Sequence, residues 1–175
     1  MPVVPYVPAT ISEPVEVVQA IRARRGGGLF NLDRMLLHSP PFARGWNVFM
    51  GAVRSELTVS PKLRELAICV VAVLNRADYE FGHHAPEFVG TGGTDAQVAA
   101  LRDPARAASD SQFSPLERVV IRLTIEMTRD IEVSRDLMRE LREALPSQAL
   151  IELIGVIAAY NMVSRFLVAT GITPE

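Results

Sequence analysis

Cysteine is nearly absent: Cys69 stands alone among 175 residues. A lone thiol excludes an internal disulfide and any CxxC redox pair, and it fits a reducing, cytoplasmic compartment. Basic blocks are missing as well. "RARR" at 22–25 comes nearest, and it ends an expected helix, where cations favour the negative end of the dipole. With a formal net charge of −2, nucleic acid is not an expected partner. No alternating β-branched pattern occurs, so strand content should be near zero. The opening "MPVVPYVPATIS" lacks a basic region and is interrupted by Pro2, Pro5 and Pro8, so it does not read as a signal peptide. An uncharged run of membrane length is missing too. "ALIELIGVIAAYNMVSRFLVA" is long enough, but Glu152, Asn161 and Arg165 within it would be costly in lipid, which favours a buried helix and no membrane contact.

What remains is helix-forming sequence. Apolar residues make up 49 % and charged residues 22 %, an ordinary globular balance that excludes a disordered chain. "SPLE" at 114–117 places Ser114 at an N-cap, Pro115 at the first helical position and Glu117 at the capping-box position. "TDAQ" at 94–97 repeats the logic with Thr94 and Gln97, and "SPKL" at 60–63 offers Ser60 as cap and Pro61 as first residue. Apolar residues then recur at helical spacing: Leu63, Leu66, Ala67, Val70, Val71 and Leu74 in one segment, Val119, Val120, Leu123 and Met127 in another. The pattern predicts an extended arm over 1–11 and one all-α domain over 12–175. Its helices are expected near 12–25, 31–38, 41–56, 61–75, 78–90, 95–102, 115–130, 134–144 and 147–169, separated by breakers such as "RRGGG", "GTGG" and "LRDPA". The last helix is long and apolar on more than one face, and the Pro-rich arm could clasp a neighbour, so a homo-oligomer (dimer, trimer or hexamer) is expected.

Chemistry concentrates in "ADYEFGHHAPEF", residues 77–88, which holds two of the three histidines. Residues three and four apart share a helix face, so Glu80 and Glu87 both flank His83 and His84. A carboxylate four residues before a histidine can accept its ring N–H and fix its tautomer, which suits acid–base work with Glu80 orienting His84. Pro86 inside the helix frees the Gly82 carbonyl and should kink the chain locally. A solvated polar face is the plain alternative. A divalent metal at Glu80, His83 and His84 is a further one, because "EFGH" has the Glu-x-x-His spacing of di-iron bundles. That family of sites needs a second such motif, and His38 lacks a glutamate three residues before it. No cofactor is therefore expected. In the last helix Asn161 and Arg165 share a face, where Arg165 would either bridge to Glu80 or Glu65 or hold a substrate carboxylate. Trp46, Phe42, Phe49 and Phe81 are candidate pocket walls, although aromatic residues at helical spacing are far more often core.

The stretch "SPKLRELAICVVAVLNRADYEFGHHAPEFVGTGGTDAQVAAL" resembles the carboxymuconolactone decarboxylase family, whose redox relatives are the AhpD-type alkylhydroperoxidases. "HSPPFARGW" before it and "ELIGVIAAYNMVSRFLVATGI" after it extend the resemblance over nearly the whole chain. The resemblance implies an AhpD-like helical fold assembled as a homo-oligomer. In the peroxidase branch the working residues are a glutamate, the two cysteines of a CxxC and a histidine. Laid on this chain from Glu65, that spacing puts the cysteine positions at Ala77 and Glu80, the histidine at His84, and a relay side chain at Tyr79. Glu65 and His84 are kept and both cysteines are gone.

That departure removes thiol peroxidase chemistry, which needs one thiolate to attack peroxide and a second thiol to resolve it. Cys69, among apolar neighbours, is a core residue rather than a substitute. The resemblance then implies a decarboxylase-like enzyme, with His84, Glu80 and Glu65 as acid–base groups and Tyr79, Arg165, Asn161 and His83 lining the substrate. Decarboxylation or isomerisation of a small organic acid or lactone, such as an aromatic-degradation intermediate, is the expected chemistry. A peroxidase-related protein that has lost its thiols, and a non-catalytic oligomeric binding protein, are the alternatives.

Overall fold

The computed structural model describes residues 1–175 and contains ten helices and no strand. In chain order they are α1 (Val15–Arg25), α2 (Asn31–Leu36), α3 (Pro40–Ser55), α4 (Pro61–Leu74), α5 (Asp78–Gly90), α6 (Asp95–Ala100), α7 (Pro104–Ala107), α8 (Pro115–Arg129), α9 (Arg135–Ala144) and α10 (Ser147–Thr170). The short α7 was not expected from the sequence. "LRDPA" reads as a breaker, but Asp103 accepts from the Arg106 backbone N–H and Pro104 supplies the first helical residue, so the same letters start a helical turn.

The chain divides into two compact units, Met1–Glu56 with Leu167–Glu175, and Leu57–Phe166. In the first, α1 to α3 bury Val17, Ile21, Leu36, Trp46 and Met50. The N-terminal arm is tied along this same unit. Val3 N–H donates to the Thr170 carbonyl at 2.9 Å, His38 Nε2 to the Pro5 carbonyl at 2.7 Å and Arg34 Nε to the Val7 carbonyl at 2.8 Å. A strap on its own chain satisfies these backbone groups without a neighbour.

The second unit is organised around α4, which packs on α5 and α8 and buries every residue from Glu65 to Ala72. Both expected capping boxes form. Ser114 and Glu117 exchange bonds at 3.2 and 2.7 Å, and Thr94 and Gln97 do so at 3.1 Å in each direction. The start of α4 differs from expectation, because Ser60 makes no side-chain cap bond. Just before it, Glu152 of α10 takes the Thr58 and Val59 N–H groups, each at 2.7 Å. Hydrogen bonds from Gln148 and from those backbone groups hold the Glu152 carboxyl below the usual range.

α10 is long and apolar enough to cross a membrane by length and composition, with half of its most apolar window buried inside the protein. α5 continues through Pro86, and Gly82, Pro86 and Glu87 are all exposed on it. The turn that joins α4 to α5 is fixed by side chains. Arg76 takes a positive φ of 58°, and Asn75 Nδ2 donates to Asn161 Oδ1 at 2.9 Å and to Ser164 Oγ at 2.7 Å on α10. This contact sets where α5 begins, and hence where its first two turns point.

Candidate acid–base site

The candidate site residues expected from the sequence lie on α4, α5 and α10. His84 of α5 meets Glu65 of α4, with Nδ1 to Oε2 at 2.6 Å. The pair is shielded, Glu65 being 2 % and His84 6 % exposed. A carboxylate can only accept, so Nδ1 carries the proton of this bond and Nε2 is the nitrogen that the pair leaves for other partners. Glu65 Oε1 also accepts from Arg64 Nε at 3.2 Å. Tyr160 of α10 packs edge-to-face with the His84 ring, centroids 5.0 Å apart, so the imidazole is set by a hydrogen bond and by an aromatic contact.

The expectation that Glu80 orients His84 is corrected here. Glu80 is 2 % exposed, and neither of its carboxyl oxygens has a hydrogen-bond partner. Burial alone raises its pKa well above the ordinary 4.5, so it holds a proton where other glutamates are ionised. Helical spacing permitted a Glu80–His84 bond, but the His84 ring reaches across to α4 and the orienting carboxylate is Glu65.

His83 turns the other way. Its Nδ1 donates to the Tyr79 carbonyl at 3.0 Å and its ring stacks on Tyr79 at 4.4 Å between centroids. Glu80, His83 and His84 therefore do not converge as metal ligands, and no three His, Cys, Asp or Glu side chains do so anywhere in the structure. Asn161 is placed as a structural group: its Oδ1 accepts from Asn75, and its Nδ2 donates to Thr128 Oγ1 at 2.9 Å and to the Ile157 carbonyl at 3.0 Å. Arg165 is exposed rather than buried, and it makes no ion pair with Glu80, which has no partner at all. Cys69 is fully buried, and burial, followed by the nearby carboxyls of Glu65 and Glu80, pushes its thiol far up.

Tyr160 was not singled out from the sequence. A tyrosine beside an asparagine in an otherwise apolar helix was the available signal, since buried polar handles need partners. The arrangement as a whole offers one oriented imidazole, one carboxyl held by donors, and one protonated carboxyl in apolar surroundings. Such a set can move protons; it holds no accessible thiol.

The fold is that of the AhpD-like helical proteins. A peroxidase-related protein from Silicibacter sp. TM1040 superposes with a TM-score of 0.80 at 19 % identity, covering 96 % of this chain and 89 % of that one. An AhpD-core peroxidase-related protein from Ralstonia eutropha JMP134 gives 0.80 at 15 % identity, covering 97 % and 92 %. A cysteine-to-alanine variant of the debrominase Bmp8, in complex with 2,3,4-tribromopyrrole, gives 0.78 at 15 % identity, covering 100 % and 94 %. No curated protein matches the sequence. Residues 40–125 match the model of the carboxymuconolactone decarboxylase family, and the chain carries no CxxC pair.

Proposed function

We propose that the protein is a cofactor-free acid–base enzyme of the decarboxylase-like kind, acting on a small lactone or organic acid by decarboxylation or isomerisation. The observation that carries this reading is the buried Glu65–His84 pair at 2.6 Å. A carboxylate that accepts the Nδ1 proton orients the ring and favours the imidazolium that forms when Nε2 takes a proton from substrate. Glu80, protonated and unpaired, supplies the complementary acid. The match of residues 40–125 to the carboxymuconolactone decarboxylase model supports the class. The thiol route of the peroxidase branch has no support in these residues, because Cys69 is buried and its thiol is held protonated.

Self-association belongs to this reading. It is supported by large apolar side chains left exposed on α3 (Phe42, Val48, Phe49) and on α10 (Ile151, Met162, Val168). The test of function is turnover of 4-carboxymuconolactone, read as ultraviolet loss and carbon dioxide release, for the wild type, His84→Ala and Glu65→Gln. Loss of about 10²-fold or more in kcat for His84→Ala, with its melting temperature held, supports the assignment. Undiminished turnover in that variant removes it.

A further inference from the structure

A buried carboxyl without a partner is unusual, since nearly all buried polar atoms in native proteins are hydrogen-bonded. Glu80 leaves both oxygens unpaired, on the first turn of α5 and one turn ahead of His84. Its protonated form is a hydrogen-bond donor that lacks an acceptor.

The charges around it are informative. On α4, Glu65 is held by Arg64 and His84, so that guanidinium is already engaged. Cys69, also on α4, is a protonated thiol. Arg102 lies over the Phe81 ring at 3.8 Å and its charge, the smallest of the influences on Cys69, reaches that thiol without pairing with Glu80; on α10 Tyr160 faces His84 while Arg165 is exposed. No cation is paired with Glu80, and an acidic group sits nearby in Glu65. An incoming carboxylate would therefore be desolvated without a positive partner, a costly placement. A carbonyl oxygen carries no such penalty and supplies the missing acceptor.

We propose that Glu80 is the binding group for an uncharged carbonyl oxygen, so that the site takes a lactone, ester or ketone carbonyl on the Glu80 O–H and places any anionic group of the substrate away from it. The proposal rests on the acid–base reading above for the identity of the site, and it deepens that reading by assigning the ligand chemistry of one position. Residues four apart share a helix face, so a carbonyl on Glu80 is presented along the face that carries His84. A hydrogen bond strengthening as the carbonyl gains enolate character would favour proton removal beside it.

The experiment measures binding rather than turnover. Phthalide, an uncharged aromatic lactone, and its ring-opened hydroxymethylbenzoate are titrated into the full-length protein by calorimetry. The wild type, Glu80→Gln, Glu80→Met and His84→Ala are compared. Infrared difference spectra are recorded alongside for the C=O stretch of a protonated carboxylic acid. The expected results are an acid band in the wild type that disappears in Glu80→Gln and shifts when phthalide binds, and binding of phthalide about tenfold or more tighter than of the acid. Glu80→Gln, which keeps a donor, should bind phthalide within about threefold of the wild type, and Glu80→Met about tenfold more weakly, the worth of one hydrogen bond. Absence of the acid band, absence of saturable phthalide binding, equal affinity for the ring-opened acid, or unchanged binding by Glu80→Met overturns the proposal. His84→Ala separates the two readings: failure of the acid–base function shows as persisting turnover in that variant, whereas the Glu80 assignment stands or falls on affinity and the infrared band.

Discussion

Replacing Glu80 by methionine should make the protein more stable, against the usual direction for a core substitution. Methionine has a similar unbranched shape and removes two buried oxygens that have no partners. Relief of an unpaired buried polar group is worth about 1–3 kcal/mol. The gain must also depend on pH, with a sign fixed by the direction of the shift. Glu80 has a folded pKa well above the ordinary 4.5, so the folded state binds more protons than the unfolded one above that value. Wild-type stability from this group is complete below the ordinary value and falls as pH rises toward the folded pKa.

Methionine has nothing to titrate. The advantage of Glu80→Met over the wild type should therefore widen as pH rises above the ordinary carboxylate range. Thermal melts of both proteins from pH 4 to 8 read it directly. A variant that melts lower than the wild type, or a gain that is the same at pH 5 and 7, would refute the assignment of Glu80 as protonated and unpaired. The more stable variant should also be the less active one, as expected where a strained polar group serves a site.

Other substitutions test the frame around the site. Asn161→Ala takes one of two partners from Asn75 and the amide donor from Thr128, and should cost about 1–3 kcal/mol for the buried Thr128 hydroxyl left unpaired, seen in urea denaturation. Gly93→Ala places a Cβ 2.5 Å from the ring edge of the fully buried Phe88, and about 1–3 kcal/mol of overpacking should appear in the same assay. Cys69 should resist a disulfide reagent in the native protein and react fully in denaturant, because its thiol is buried and protonated. Arg165→Ala should change stability by less than about 0.5 kcal/mol and leave KM unchanged, as befits an exposed side chain; a large rise in KM would restore it as a carboxylate holder.

Local signals were the legible part. Reciprocal caps need only four consecutive residues, so "SPLE" and "TDAQ" marked the starts of α8 and α6 correctly. The partner of His84 is a tertiary fact. Spacing within α5 offers Glu80, yet the bond goes to Glu65 on α4, and only the packing of the two helices decides between them. Arg165 was misplaced for a related reason. α10 is apolar on several faces, so its pattern does not say which side meets the core. The same breadth hid the place of Tyr160 against His84, although its neighbour Asn161 was conspicuous. α7 escaped because Asp-Pro announces a turn and a helix start in the same two letters.

On the proposed acid–base reading, the two buried glutamates stand in for the missing thiols. They are alike in exposure and opposite in surroundings. Glu65 receives Arg64 and His84 as donors, an environment that suits a carboxylate, while Glu80 receives none and stays an acid. Acid and base roles on one scaffold require groups whose environments push them apart, and here that separation comes from the packing of α4 on α5. The glutamate at the spacing of the second cysteine thus changes the chemistry of the position from a resolving thiol to a proton-bearing carboxyl. In the same frame it preserves the Glu65–His84 pair beside it. If that substitution sets the chemistry, placing cysteine at Glu80 and Ala77 together should not restore peroxide reduction. Both thiols would be buried where Cys69 already shows that a thiolate is disfavoured. A double variant with thiol-dependent peroxide turnover would show instead that the surroundings of the two positions, and not their residues alone, had been misjudged.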